Sequence, residues 1–236
     1  MKTYSKMKNA RLSGLIYLVL IISGIIGLAY IPSQLINRDS TSDTVANLTH
    51  SEMLFKLGIL SEIICFISFL FLALSLYNLL KEVNKNVAKL MVVFIIISVS
   101  MSFVNILNKF SVLTLLHQAE YMKDMSPDYI ASQIMLYLDF YANGNKLVAI
   151  FWGLWLFPFG YLVYKSGFLP KILGIFLMLG CFGYLVEFVG PFLFSSYRDY
   201  EVLGTIIGIP SPIGEFGICL WLLIMGTKKF TIKKTA

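Results

Sequence analysis

The side chains that could carry chemistry in this chain fall inside, or at the edges of, long apolar runs: Glu62, Asn105, Lys109, Lys146, Trp152, Trp155, Glu187 and Glu215. An ionisable group among apolar neighbours is costly, and in membrane proteins it faces a bundle interior or a cavity. Glu187 and Glu215 suit a cationic group or a proton. Lys109 and Lys146 suit an anionic one, and Trp152 and Trp155 offer apolar walls to an acyl chain or a flat ligand. With Glu62 and the amides Asn105, Asn108 and Asn145, they compose a candidate ligand pocket. Plainer readings compete. Glu62, Lys109 and Lys146 could equally mark the outer interface by snorkelling into head groups. Glu187 and Glu215 could be glue between helices, and the tryptophans ordinary core packing.

Other chemistry is poorly represented. His50 with Glu52, and His117 with Glu120, fall in polar stretches, whereas zinc chemistry wants three or more converging ligands. The three cysteines, Cys65, Cys181 and Cys219, sit in apolar runs without CxxC spacing and read as small buried hydrophobes. Neither a Gly-x-Ser-x-Gly elbow nor a phosphate-binding Gly-x-x-x-x-Gly-Lys-Ser loop occurs. No catalytic residue, metal or cofactor is therefore assigned.

The elements that must position these groups are membrane helices. The chain is 58% hydrophobic and 14% charged, with a mean hydropathy of +0.79, which lies outside the range of soluble domains. Its apolar runs exceed the roughly 20 residues that span a bilayer core. We read an all-α, single-domain bundle of six spans, at about 12–31, 52–80, 87–116, 145–164, 169–194 and 202–226. External loops then cover 32–51, 117–144 and 195–201. Within the second loop, Ser126-Pro127 signals a short helix from Asp128 to Tyr141. Its apolar spacing (Ile130, Ile134, Leu138, Tyr141) fits a segment lying in the interface.

Charge sets the orientation. Lys2, Lys6, Lys8 and Arg11 precede the first span. Lys81, Lys85 and Lys89 flank the second connection, and Lys165 and Lys171 the fourth. Lys228, Lys229, Lys233 and Lys234 follow the sixth span, and of the acidic residues only Glu82 joins this side. Basic residues mark the cytoplasmic side, which places both termini inside. The net charge of +6 is thereby a matter of topology and does not imply nucleic acid.

At 1.5 Å per residue, Glu215 stands roughly 20 Å above Lys228, Glu187 roughly 24 Å above Lys171 and Glu62 roughly 28 Å above Lys81. Asn105 and Lys109 stand roughly 24 and 30 Å above Lys89, and Lys146 roughly 28 Å above Lys165. All fall in the outer half. Glu215 also follows Gly208-Ile209-Pro210-Ser211-Pro212-Ile213-Gly214, which should break or kink the helix beside a carboxylate, as at transporter binding sites. The alternative is a helix that begins at Pro212. In Phe151 to Gly174, Lys165-Ser166-Gly167 closes one helix and Pro170-Lys171 opens the next.

Four stretches carry a family resemblance: Ala10 to Leu18 (ARLSGLIYL), Leu76 to Lys85 (LYNLLKEVNK), Phe151 to Gly174, and Glu215 with Leu220-Trp221-Leu222-Leu223. In that order the chain resembles the bacterial family of membrane proteins grouped as domain of unknown function 4386. The resemblance implies a six-helix integral membrane protein and carries no catalytic residues across. The expectation is a multi-pass protein of the bacterial cytoplasmic membrane. Membrane lipids surround it, and its outer polar pocket binds or transports a lipid or small amphiphile. The alternatives are an intramembrane enzyme acting on lipid, or a structural, partner-binding subunit.

Overall fold

A computed structural model describes residues 2–118, 120–194 and 201–227. The lysines after Thr227 and the turn expected at 195–200 lie outside the described residues. Every described element is helical, and no strand occurs among the described residues.

The first helix, α1, runs Lys2–Gly24 and passes through a π-helical turn, Ile25–Tyr30, into α2, Ile31–Leu35. In that turn the Ile31 N–H reaches back to Ile26 O. After a short loop, Ser40 accepts from the Asp43 N–H at 3.2 Å and starts α3, Thr41–His50. Two long helices follow: α4, Glu52–Leu80, and α5, Lys85–Leu116. Asn84 Oδ1 caps α5, accepting from the Asn86 and Val87 N–H groups at 3.1 Å each.

The expected break between an interfacial helix and a fourth span does not occur. Ser126 caps a helix, α6, that is continuous from Pro127 to Leu154. Its stripe Ile130, Ile134, Leu138, Tyr141 is buried and continues to Val148. The stripe is thus the inner face of one long helix. Trp155 interrupts it for a single residue before α7, Leu156–Ser166, because Pro158 has no N–H to give the Leu154 carbonyl. Gly167 ends α7 at φ 71°, the left-handed conformation that glycine adopts freely.

α8 runs Lys171–Leu193. The last helix comes as α9, Glu201–Gly208, and α10, Pro210–Leu220, continued by a π-helical turn, Trp221–Met225. The break expected near Pro210-Pro212 is small: Ile209 alone leaves the helix and keeps right-handed dihedrals (φ −53°, ψ −41°). The Gly208 carbonyl, which Pro212 cannot serve, takes a hydrogen bond from Ser211 Oγ at 3.3 Å instead. Six helical stretches are long and apolar enough to cross a membrane: Met7–Leu35, Glu52–Leu80, Lys85–Leu116, Pro127–Ser166, Lys171–Leu193 and Ile206–Met225.

The chain divides into two compact units. One comprises Met1–Leu18, Phe69–Ser98 and Ala149–Ala236. There α7 and α8 meet backbone to backbone: a Cβ on Gly174 would lie 2.7 Å from Gly160 O. Gly180 and Gly214 give α8 and α10 the same closeness, facing Ser211 and Leu177. The other unit comprises Val19–Ser68 and Val99–Val148. Its core includes Leu48, Phe55, Ile59, Phe66, Ile106, Ile134 and Leu138.

Candidate functional site: a buried ion pair and its amide ladder

Within the unit of Val19–Ser68 and Val99–Val148, two membrane helices each place one charge in the interior. Glu62 on α4 is 0% exposed and Lys109 on α5 is 2% exposed, and the two form an ion pair. Space for Glu62 comes from Gly27 in the π-helical turn, where a Cβ would lie 2.8 Å from Glu62 Cγ and 2.9 Å from its backbone nitrogen. The remaining faces of the Lys109 ammonium are aromatic. Its Nζ lies 4.2 Å from the Tyr141 ring centroid and 5.9 Å from that of Phe55. The quadrupoles of those rings replace part of the lost hydration.

An amide ladder flanks the pair. Asn105 donates to Tyr141 O and to Asn145 Oδ1, both at 2.9 Å, and Asn108 donates to Asn105 O and Oδ1 at 3.1 Å. Gly144 makes this possible, since the Asn105 amide fills the space that a Cβ at 144 would occupy. Two polar atoms of the cluster stay unmatched: Glu62 Oε2 and Tyr141 OH are buried with no hydrogen-bond partner among the described residues. Buried polar atoms are nearly always satisfied, so such a pair in one cluster suits a small group that donates to the carboxylate and bonds the phenol.

The expected site residues do not gather into one cluster. Glu62, Asn105 and Lys109 come together. Lys146 is exposed and donates to Asn143 Oδ1 at 3.1 Å. Glu215 and Trp155 belong to the other unit, where Glu215 is half-buried and accepts from Tyr17 OH at 3.1 Å. Trp155 there stacks on Phe159 (centroids 5.1 Å, planes at 12°) and meets Phe69 and Tyr17 edge-on. Trp152 is half-buried, and Glu187 is exposed beside Gly208.

Tyr141 is the participant that sequence reasoning missed as a site residue. It was visible as the last member of the α6 stripe, but there it read as an interfacial aromatic. The histidines are occupied elsewhere. His117 Nε2 lies 2.9 Å from Glu52 Oε1, not against Glu120, and His50 Nδ1 lies 2.7 Å from Ala46 O. Cys65, Cys181 and Cys219 are buried and unpaired. Among the described residues, no group of three or more His, Cys, Asp and Glu side chains converges.

Six apolar crossings and a charged pair in their interior define a polytopic helical membrane protein. The chain belongs to the Domain of unknown function (DUF4386) family, whose model matches residues 12–226. It is similar to an uncharacterized protein of Archaeoglobus fulgidus, 32% identical over 164 residues, covering 69% of this chain and 80% of the archaeal protein. No solved structure matches it.

Proposed function

We propose that this protein binds or transports a lipid or small amphiphile in the cytoplasmic membrane, with both termini on the cytoplasmic side. The polar group of that ligand would be taken by the Glu62–Lys109–Tyr141 cluster. One observation carries the reading: Glu62 Oε2 and Tyr141 OH are buried side by side in one polar cluster, each without a hydrogen-bond partner among the described residues. A pair serving packing alone would be expected to satisfy its lone pairs internally. The expected pocket is thereby narrowed to Glu62, Asn105, Lys109 and Tyr141. Glu187, Glu215, Lys146 and the tryptophans fall outside it.

The test is native mass spectrometry with lipidomics on detergent-purified protein. Wild type is compared with Tyr141→Phe and with the double variant Glu62→Gln/Lys109→Met, which leaves no isolated charge. A co-purifying species carried by wild type and depleted in both variants is expected. If all three proteins carry the same unselective lipids, the reading fails and the pair is packing glue.

A further inference from the structure

The unit of Met1–Leu18, Phe69–Ser98 and Ala149–Ala236 carries an apolar groove of about 530 Å³. Leu90 and Phe94 of α5, Phe157 and Tyr161 of α7, and Phe182 and Leu185 of α8 line it. It is open along its side: Leu90, Phe157 and Phe182 are 46%, 44% and 55% exposed, in segments that cross the membrane. Its neighbours there are acyl chains.

Depth and charge narrow the occupant. Counting 1.5 Å per residue from the lysines at the helix ends, Tyr161 lies roughly 6 Å from Lys165 and Phe94 roughly 14 Å from Lys85. Leu185 lies roughly 21 Å from Lys171. The groove therefore begins beside the basic helix ends and runs about as deep as one leaflet, half of a hydrocarbon core of roughly 30 Å. Lys165 stands one helical turn beyond Tyr161 and eleven residues beyond Leu154, which also lines the groove, so it lies on the same face of α7. It is exposed. Lys171 and Lys81, by contrast, lie over the rings of Tyr164 and Tyr77, each at 5.6 Å.

We propose that the groove is a specific site for an anionic phospholipid of the leaflet at the basic helix ends. One acyl chain would lie along Tyr161, Phe157 and Phe182, and the phosphate would lie at Lys165. The site does not depend on the Glu62 cluster.

The experiment uses the full chain in phosphatidylcholine vesicles containing a diazirine-acyl phosphatidylglycerol or, in a parallel arm, a diazirine-acyl phosphatidylcholine. Adducts are mapped by peptide. On the groove segments of α5, α7 and α8, phosphatidylglycerol adducts should exceed phosphatidylcholine adducts by about fivefold, the factor one lysine supplies near an anionic lipid. Lys165→Gln, at an exposed position, should bring the two probes to parity. Leu90→Trp should reduce groove adducts from both. Equal labelling by the two probes in wild type overturns the proposal. So do adducts spread evenly over lipid-facing positions such as Val104 and Leu107, or a preference that survives Lys165→Gln.

Discussion

Lys109 is held between an anion and a ring: its ammonium is ion-paired with Glu62, and its Nζ lies 4.2 Å from the centroid of Tyr141. Both partners are buried, so neither charge can fall back on water. Glu62→Gln should therefore destabilise the protein by about 3–5 kcal/mol, since it strands a buried ammonium. Adding Lys109→Met should recover most of that loss. Unfolding of the two variants in the same detergent checks it, and additive losses would contradict the coupling.

Tyr141 separates two contributions of one side chain. Its ring faces Lys109, while its hydroxyl has no partner among the described residues. Tyr141→Phe should change stability by less than about 0.5 kcal/mol, whereas Tyr141→Leu should lose about 1–2 kcal/mol of cation–π and packing energy. A larger loss from the phenylalanine variant would show that the hydroxyl is bonded after all.

Gly144 and Asn105 occupy complementary space. Gly144→Ala should cost about 1–3 kcal/mol by displacing the Asn105 amide from Tyr141 O and Asn145. In an Asn105→Ala background the same change should cost little. A double-mutant cycle on thermal unfolding reads the difference.

In the other unit, Tyr17 OH donates to Glu215 Oε2 at 3.1 Å. Tyr17 is 0% exposed, and a hydrogen bond to an ionised group is worth about 1.5–3 kcal/mol. Tyr17→Phe should lose that amount in wild type and much less beside Glu215→Gln. Equal losses in both backgrounds would mean that the contact contributes only packing.

The orientation is tested by labelling. Single cysteines at Asn84 and Gly167 should be protected from a membrane-impermeant maleimide in intact cells, whereas cysteines at Ser42 and Asp124 should react. The background replaces Cys65, Cys181 and Cys219, which are buried. The reverse pattern would invert the topology.

The crossings were legible because length and hydropathy suffice for a span, and Gly167 announced the end of α7. The run Ala142-Asn143-Gly144-Asn145 misled because it has the composition of a loop. In the fold its asparagine and glycine serve contact with α5: Asn145 accepts from Asn105, and Gly144 clears room for it. Depth was legible for Glu62, Lys109 and Glu215, but direction was not. Height along a helix follows from counting residues, while the meeting of Glu62 with Lys109 depends on how α4 and α5 are rotated. Tyr141 escaped notice because a ring facing an ammonium has no signature in spacing.

The π-helical turn at Ile25–Tyr30 makes this neighbourhood sensitive to the number of residues as well as to their kind. It holds one residue more than an α-helical turn would, closing through Ile31 N–H to Ile26 O. Deleting a single residue there would restore ordinary winding and rotate Ile31 by roughly 100° away from Gly58, against which it packs. Gly27 and Ile31 could then no longer both face α4. Shortening the chain by one amino acid at this point would disturb Glu62 more than many substitutions made beside it.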